Sequence, residues 1–177
     1  MNWPCLAMVI FLAGLLFACT NTGIASEPPT PTRESLSQWV AAATASSQYG
    51  IAGWSAQRVT GVPDVTGCVD DSRAWASGRG NGAEWLLLEY RIPVFATEVN
   101  IYQTYGRGAI SRVTIYDEDN EGEVIWEGQD SADPCPGVLS VPVPMKPYRV
   151  SRIRIDLDES RTGYWNQVDS VELVGFR

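Results

Sequence analysis

Histidine is absent from all 177 residues, and lysine occurs once, at Lys146. Without an imidazole the chain has no ordinary proton carrier for neutral pH, so Ser-His-Asp and Cys-His nucleophile systems and histidine zinc sites are excluded. A carboxylate pair is the one catalytic option left. With 21 acidic residues in the chain, chance pairs are easy, so this option singles out no residues and the chain reads as a non-enzyme. The basic residues number 13, twelve of them Arg, scattered and with none before Arg33; the formal charge is −8. An acidic chain with no basic stripe argues against nucleic acid and against simple attraction to anionic lipid. There is no βαβ rhythm and no repeat of fixed period.

The longest apolar run, Leu6 to Ala18, is too short to cross a bilayer comfortably and matches the core of a signal peptide. It ends Leu16-Phe17-Ala18-Cys19, which resembles the bacterial lipoprotein box, whose cysteine becomes the lipidated first residue. Phe17 is bulky for its place and the basic start of such a segment is missing. Ordinary cleavage after Ala25, and a retained N-terminal anchor, are the rival readings. The organisation expected is a signal segment at 1–19, a Pro/Thr-rich tether at 20–34 and one domain at 35–177. The expected location is a bacterial cell envelope, lipid-anchored through Cys19, or secreted; the membrane is met only through that lipid.

From Glu84 onward the chain alternates with period two. Val99 and Ile101 share one face, Val113 and Ile115 another, then Val124 with Trp126, Ile153 with Ile155 and Leu157, and finally Val168 to Val174. Trp85 to Tyr90 is nearly continuous apolar, as for a strand covered on both sides. Gly, Pro and Asp punctuate the gaps, so the expectation is an all-β antiparallel sandwich or barrel. Leu36, Trp39, Val40 and Ala43 fall at helical spacing, so the entry to the domain reads as a short helix or a loose tether.

Cys68 and Cys135 are the only cysteines of the domain. An even pair in an exported chain predicts a disulfide. Asp117-Glu-Asp-Asn-Glu-Gly-Glu123 opens like half a calcium loop. It lacks the closing Glu, because Gly128 stands there, and it reads as a solvated hairpin turn.

Small residues and an aromatic (Ala43 to Gly50), Trp54, a turn at Gly61-Val-Pro-Asp64 and Trp75-Ala-Ser77 follow in order, and Trp165-Asn-Gln-Val-Asp-Ser-Val-Glu-Leu-Val-Gly175 closes the domain. These segments resemble the discoidin, or coagulation factor 5/8 type C-like, galactose-binding-like domains. Ser46-Ser-Gln-Tyr-Gly50, Glu84-Trp-Leu86 and Ile101-Tyr-Gln-Thr-Tyr105 resemble the variant found in pappalysins. The resemblance covers residues 43–175. It implies a jelly-roll sandwich whose start, near Ala43 to Tyr49, lies beside its last strand, and a non-catalytic binding habit. It also implies one structural Ca²⁺, with Asp64, Asp71 and Glu172 as the matching acids. The alternative there is that the disulfide is the staple, Asp64 a turn cap and Glu172 the partner of an arginine such as Arg73.

Trp75, Trp85 and Trp126 sit in strand-like context and read as core. Trp54, Tyr105, Tyr164 and Trp165 sit in loop-like context, with Arg107 and Asn166 beside them, so these six are the candidate ligand-binding residues. Two roles follow: a module binding carbohydrate or another cell-surface ligand, or an adaptor lipoprotein docking an envelope protein.

Overall fold

The alternating segments become nine strands, and one of them organises the rest. In the computed structural model, which describes residues 33–177, β4 runs for 23 residues, Ala83–Tyr105. Every expectation placed on residues 1–32, Cys19 included, lies outside the described residues. The first half of β4 pairs with β2 (Ala42–Ala45) and β8 (Val150–Asp158). Its second half pairs with β7 (Gly137–Pro142) and β9 (Gln167–Phe176). The register breaks between Glu89 and Val94. Pro93 lies in that gap, where its missing N–H interrupts no ladder bond. There β4 leaves one sheet and enters the other.

The first sheet is completed by β5 (Ile110–Tyr116) on β8 and by β6 (Gly122–Glu127) on β5. The second is completed by β1 (Ser35–Trp39) and β3 (Trp75–Ala76), both on β9. All of these pairings are antiparallel, as a sandwich of this class requires. Leu86, Leu88, Val99 and Ile101 of β4 meet Val113, Ile115, Ile153, Ile155, Val171 and Leu173 in one core, each with no exposed surface. Burial stabilises by roughly 1.5–3 kcal/mol for each such side chain.

Several expectations are corrected. The stretch from Leu36 to Ala43 is strand, not helix: β1 pairs along its whole length with β9, from Ser35 opposite Phe176 to Trp39 opposite Glu172. The i, i+3, i+4 spacing arises because the chain crosses from one sheet to the other between Trp39 and Ala42. Val40 and Ala43 therefore point to the same core from two different sheets. The strand beside β9 is thus Ser35–Trp39, while Ala42–Ala45 pairs with β4. Trp85 to Tyr90 is covered on one face only: Leu86, Leu88 and Tyr90 are buried, Glu89 is exposed, and Trp85 is half-buried under the Arg154 guanidinium, 5.0 Å from its ring. Trp75 is core, fully buried. Trp126 is only half-buried, because a bulge between Val113 and Thr114 breaks the parity of β6 and leaves Val124 exposed.

The acidic segment is the hairpin turn between β5 and β6. Asp117 Oδ1 accepts the N–H groups of Asp119 and Glu121, and Asn120 takes a left-handed φ of 67°. Cys68 and Cys135 are bonded, their Cα atoms 5.1 Å apart. The bridge ties the long loop after Val59 to the loop before β7. Closing a loop of 67 positions stabilises the domain by roughly 2–4 kcal/mol.

Candidate functional site

The loops at one end of the sandwich form an aromatic cleft of about 150 Å³, lined by Tyr49, Trp54, Asp70, Ala76, Tyr105, Trp165 and Gln167. Each wall is placed by backbone bonds. The Tyr49 N–H donates to the Ala76 carbonyl at 2.9 Å, and the Trp54 carbonyl accepts from the Ala76 N–H at 3.2 Å, so both loop aromatics are fastened to β3. Trp54 has φ of 53°, a left-handed conformation costly for a bulky residue, and the surrounding loop holds it there. Tyr105 ends β4 directly opposite Gln167 at the start of β9. Gly106 follows with φ of 58°, and a Cβ there would come within 2.2 Å of the Trp165 carbonyl oxygen. Only glycine lets the chain pass under the Trp165 loop. The Tyr105 to Gly108 segment carries the chain from β4 in the second sheet to β5 in the first.

Tyr49 packs edge-on against Trp54, centroids 5.5 Å apart, and against Trp165 at 5.7 Å. Asp70 Oδ1 accepts from Trp54 Nε1 at 2.9 Å and from Gln167 Nε2 at 2.6 Å, while Gln167 Oε1 accepts the Asp71 N–H at 3.0 Å. Asp70 lies two residues from Cys68, so the disulfide anchors the segment that orients Trp54.

Of the six candidate ligand residues, the structure brings three together here: Trp54, Tyr105 and Trp165. Tyr164 is exposed but faces a different depression, shared with Arg107, Asp130 and Arg161. Arg107 and Asn166 are buried and structural. Arg107 Nη2 meets Asp130 Oδ1 at 3.3 Å, and its Nη1 donates to the Pro134 carbonyl. Asn166 Nδ2 donates to Gln103 Oε1 at 2.9 Å, and Gln103 Nε2 donates to Asp130 Oδ2 at 2.7 Å. Their polarity serves this buried network and not a ligand, although Arg107 Nε and Asn166 Oδ1 find no partner among the described residues. Tyr49 and Gln167 join the cleft unforeseen. Tyr49 stands next to Gly50 in a polar loop, which is a readable sign of an exposed aromatic; Gln167 gives no such sign.

Glu159 lies beneath the cleft with no exposed surface. Its Oε2 accepts the Asn166 N–H at 2.9 Å and its Oε1 the Ser77 hydroxyl at 3.1 Å. Burial, with Glu84 and Asp158 nearby, pushes its carboxyl up to about 7.

The acids implied for calcium do not assemble. Asp71 is tied to Arg73 at 2.6 Å, and the hydrogen bond from Arg73 holds its carboxyl down at about 2. Glu172 takes the Ser37 hydroxyl and, at 3.1 Å, the Asn100 amide. The carboxylate facing Asp64 is instead Asp169, whose Oδ2 accepts the N–H groups of Asp64 and Val65 at 3.1 Å each. Donors thus fill the place where a cation would need free oxygens, and among the described residues no group of three or more Asp, Glu, Cys or His is placed to hold a metal. The residues do not fit the ion.

The two antiparallel sheets, with the loops gathered at one end, make the β-sandwich of the galactose-binding-like, discoidin type. More narrowly, residues 30–177 match the family model "Pappalysin-1, SD scarf domain, C-terminal", and the chain belongs to that family. Among solved structures it is similar to chitosan-binding module 1 of a chitosanase/glucanase from Paenibacillus sp. IK-5, at 17% identity, covering 76% of this chain and 94% of that one, with a TM-score of 0.57. It is also similar to the CBM32 of AlyQ, in complex with 4,5-unsaturated mannuronic acid, at 16% identity, 78% and 97% coverage, and a TM-score of 0.59. A pectin-binding carbohydrate-binding module matches at 15% identity, 76% and 89% coverage, and a TM-score of 0.59. No curated protein matches the chain.

Proposed function

We propose that this protein is an exported carbohydrate-binding module that seats a sugar in the cleft between Tyr49, Trp54, Tyr105 and Trp165. The observation that carries this reading is the cleft itself: four aromatic side chains around one carboxylate and one amide, at the loop end of a rigid sandwich. Aromatic faces cover the apolar face of a pyranose, while the exposed Asp70 carboxylate, held in place by the buried Gln167, is placed to bond its hydroxyls. The chitosan-binding module, the CBM32 of AlyQ with its bound mannuronic acid and the pectin-binding module share the fold and support it. The volume, about 150 Å³, is half the lower bound for a drug-sized ligand, and suits one ring rather than a chain lying along the surface.

A glycan screen followed by titration of tryptophan fluorescence tests the reading. Trp54→Ala and Trp165→Ala are each expected to weaken the best glycan about tenfold or more, in line with stacking worth roughly 1–2 kcal/mol. A glycan bound equally well by both variants places its site elsewhere, and a silent screen with a co-purifying envelope protein favours an adaptor.

We assign the residues before the domain to export and tethering. Leu16 to Cys19 support lipidation at Cys19, and the Pro-rich stretch after Ser26 suits a stiff spacer holding the module off an envelope surface. The mass of the mature N-terminus reads this: a diacylated or triacylated Cys19 is expected, and a free terminus near Ser26 rules it out.

A further inference from the structure

We propose that the cleft selects a sugar bearing a free ammonium group, an unacylated amino sugar, over neutral and acidic sugars. This rests on the carbohydrate reading above and adds the charge of the ligand to it.

Asp70 is the only charged residue lining the cleft; no Arg or Lys lines it. Its Oδ1 is occupied by Trp54 Nε1 and Gln167 Nε2, both neutral donors. Its Oδ2 has no hydrogen-bond partner among the described residues, and Asp70 makes no ion pair with any of them. The nearest candidate cation in sequence, Arg73, is held by Asp71 instead. A solvent-facing carboxylate oxygen is thus left uncompensated beside a tryptophan.

The rings supply the second argument. Tyr49 stands at 75° to Trp54 and at 80° to Trp165. Rings in edge-to-face contact make a corner around Tyr49, whereas a platform for a broad sugar face has rings lying flat side by side. A corner of aromatic rings with one carboxylate is an arrangement that attracts a compact organic cation, through the negative ring faces it leaves open and the charge of the acid together. A sugar carboxylate would meet Asp70 as a like charge, in a chain already at −8.

The experiment uses the intact protein with three short oligosaccharides of equal length: fully deacetylated glucosamine, its N-acetylated form, and mannuronate. Affinities are read by calorimetry at low and high salt. The deacetylated form is expected to bind about tenfold more tightly than the acetylated one, with mannuronate weakest. Asp70→Asn keeps an acceptor for Trp54 and Gln167 and removes the charge, and should bring the ratio to about one. Glu118→Gln removes one charge from the exposed hairpin turn and should leave the ratio intact. Equal affinity for the two glucosamine forms overturns the charge preference and leaves the carbohydrate reading standing. A preference that survives Asp70→Asn, or that Glu118→Gln also erases, overturns it as well, since general attraction to an acidic surface then explains the result. Binding of none of these and no other glycan ends both readings.

Discussion

Replacing Arg107 by methionine is expected to lower the unfolding free energy by about 3–5 kcal/mol, because it leaves the Asp130 carboxylate buried without a counter-charge. For a domain of this size that is a fall in Tm on the order of 10 °C or more. Both side chains of the pair are almost fully enclosed, 3% and 1% exposed. The consequence reaches the cleft, because Asp130 also holds Gln103, and Gln103 holds Asn166 beside Trp165. The double variant Arg107→Met with Asp130→Leu removes both charges and should recover much of the loss, though Gln103 Nε2 is then left without its acceptor. Thermal melts of the three proteins decide it. A single variant that melts within about 2 °C of the parent would show that the pair carries little stability.

The pH dependence is the second large effect. The Glu159 carboxyl is raised from its ordinary 4.5 to about 7. Below pH 4.5 the folded and unfolded chains both hold this proton, and its contribution to stability is fully present. Between 4.5 and 7 the folded state holds more protons than the unfolded one, so stability falls as pH rises. Above 7 the folded protein must keep a buried carboxylate, and the contribution is lost. The fall across the window is roughly 3 kcal/mol. Asp169, whose carboxyl burial also raises, acts with the same sign. Glu159→Gln holds this position neutral at every pH, so its melting temperature should be flatter between pH 4.5 and 8 and higher than the parent's at pH 8. Parallel curves for the two proteins would remove Glu159 as the source. Trp165 immediately precedes Asn166, whose N–H donates to Glu159, so tryptophan fluorescence should change over the same pH range in the parent alone.

The family motifs prove to be contacts. Ser46 and Ser47 both donate to the buried Glu84 carboxylate, the Trp75 indole donates to the Ser47 carbonyl at 3.1 Å, and Ser77 donates to Glu159. The order of small residue, Glu, Trp and Ser was legible because these side chains need one another, wherever the chain brings them. The strands were legible for a simpler reason: in Val113 and Ile115, or Ile153, Ile155 and Leu157, side chains alternate between core and solvent with the pleat itself. The cysteine pair was legible from its isolation.

What the sequence by itself determined is therefore an all-β antiparallel sandwich of the discoidin type, without histidine chemistry, with one disulfide and with aromatics concentrated in its loops. Each of these follows from local period, residue type or counting. The tertiary structure alone decided which loop residues reach one another. Arg107 and Asn166 look like ligand groups in the chain, yet the crossing from β4 to β5 and the approach of β9 bury them in an ion-paired network. Tyr49, Asp70 and Gln167 are far apart in sequence and meet because β3 and β4 both pair with β9 at one end of the sandwich. Asp169, three residues before Glu172, is the acid that meets the Asp64 turn, because register along a strand sets which acid faces which loop. Contacts of this kind depend on strand pairing between distant segments, and no local pattern of residues encodes them.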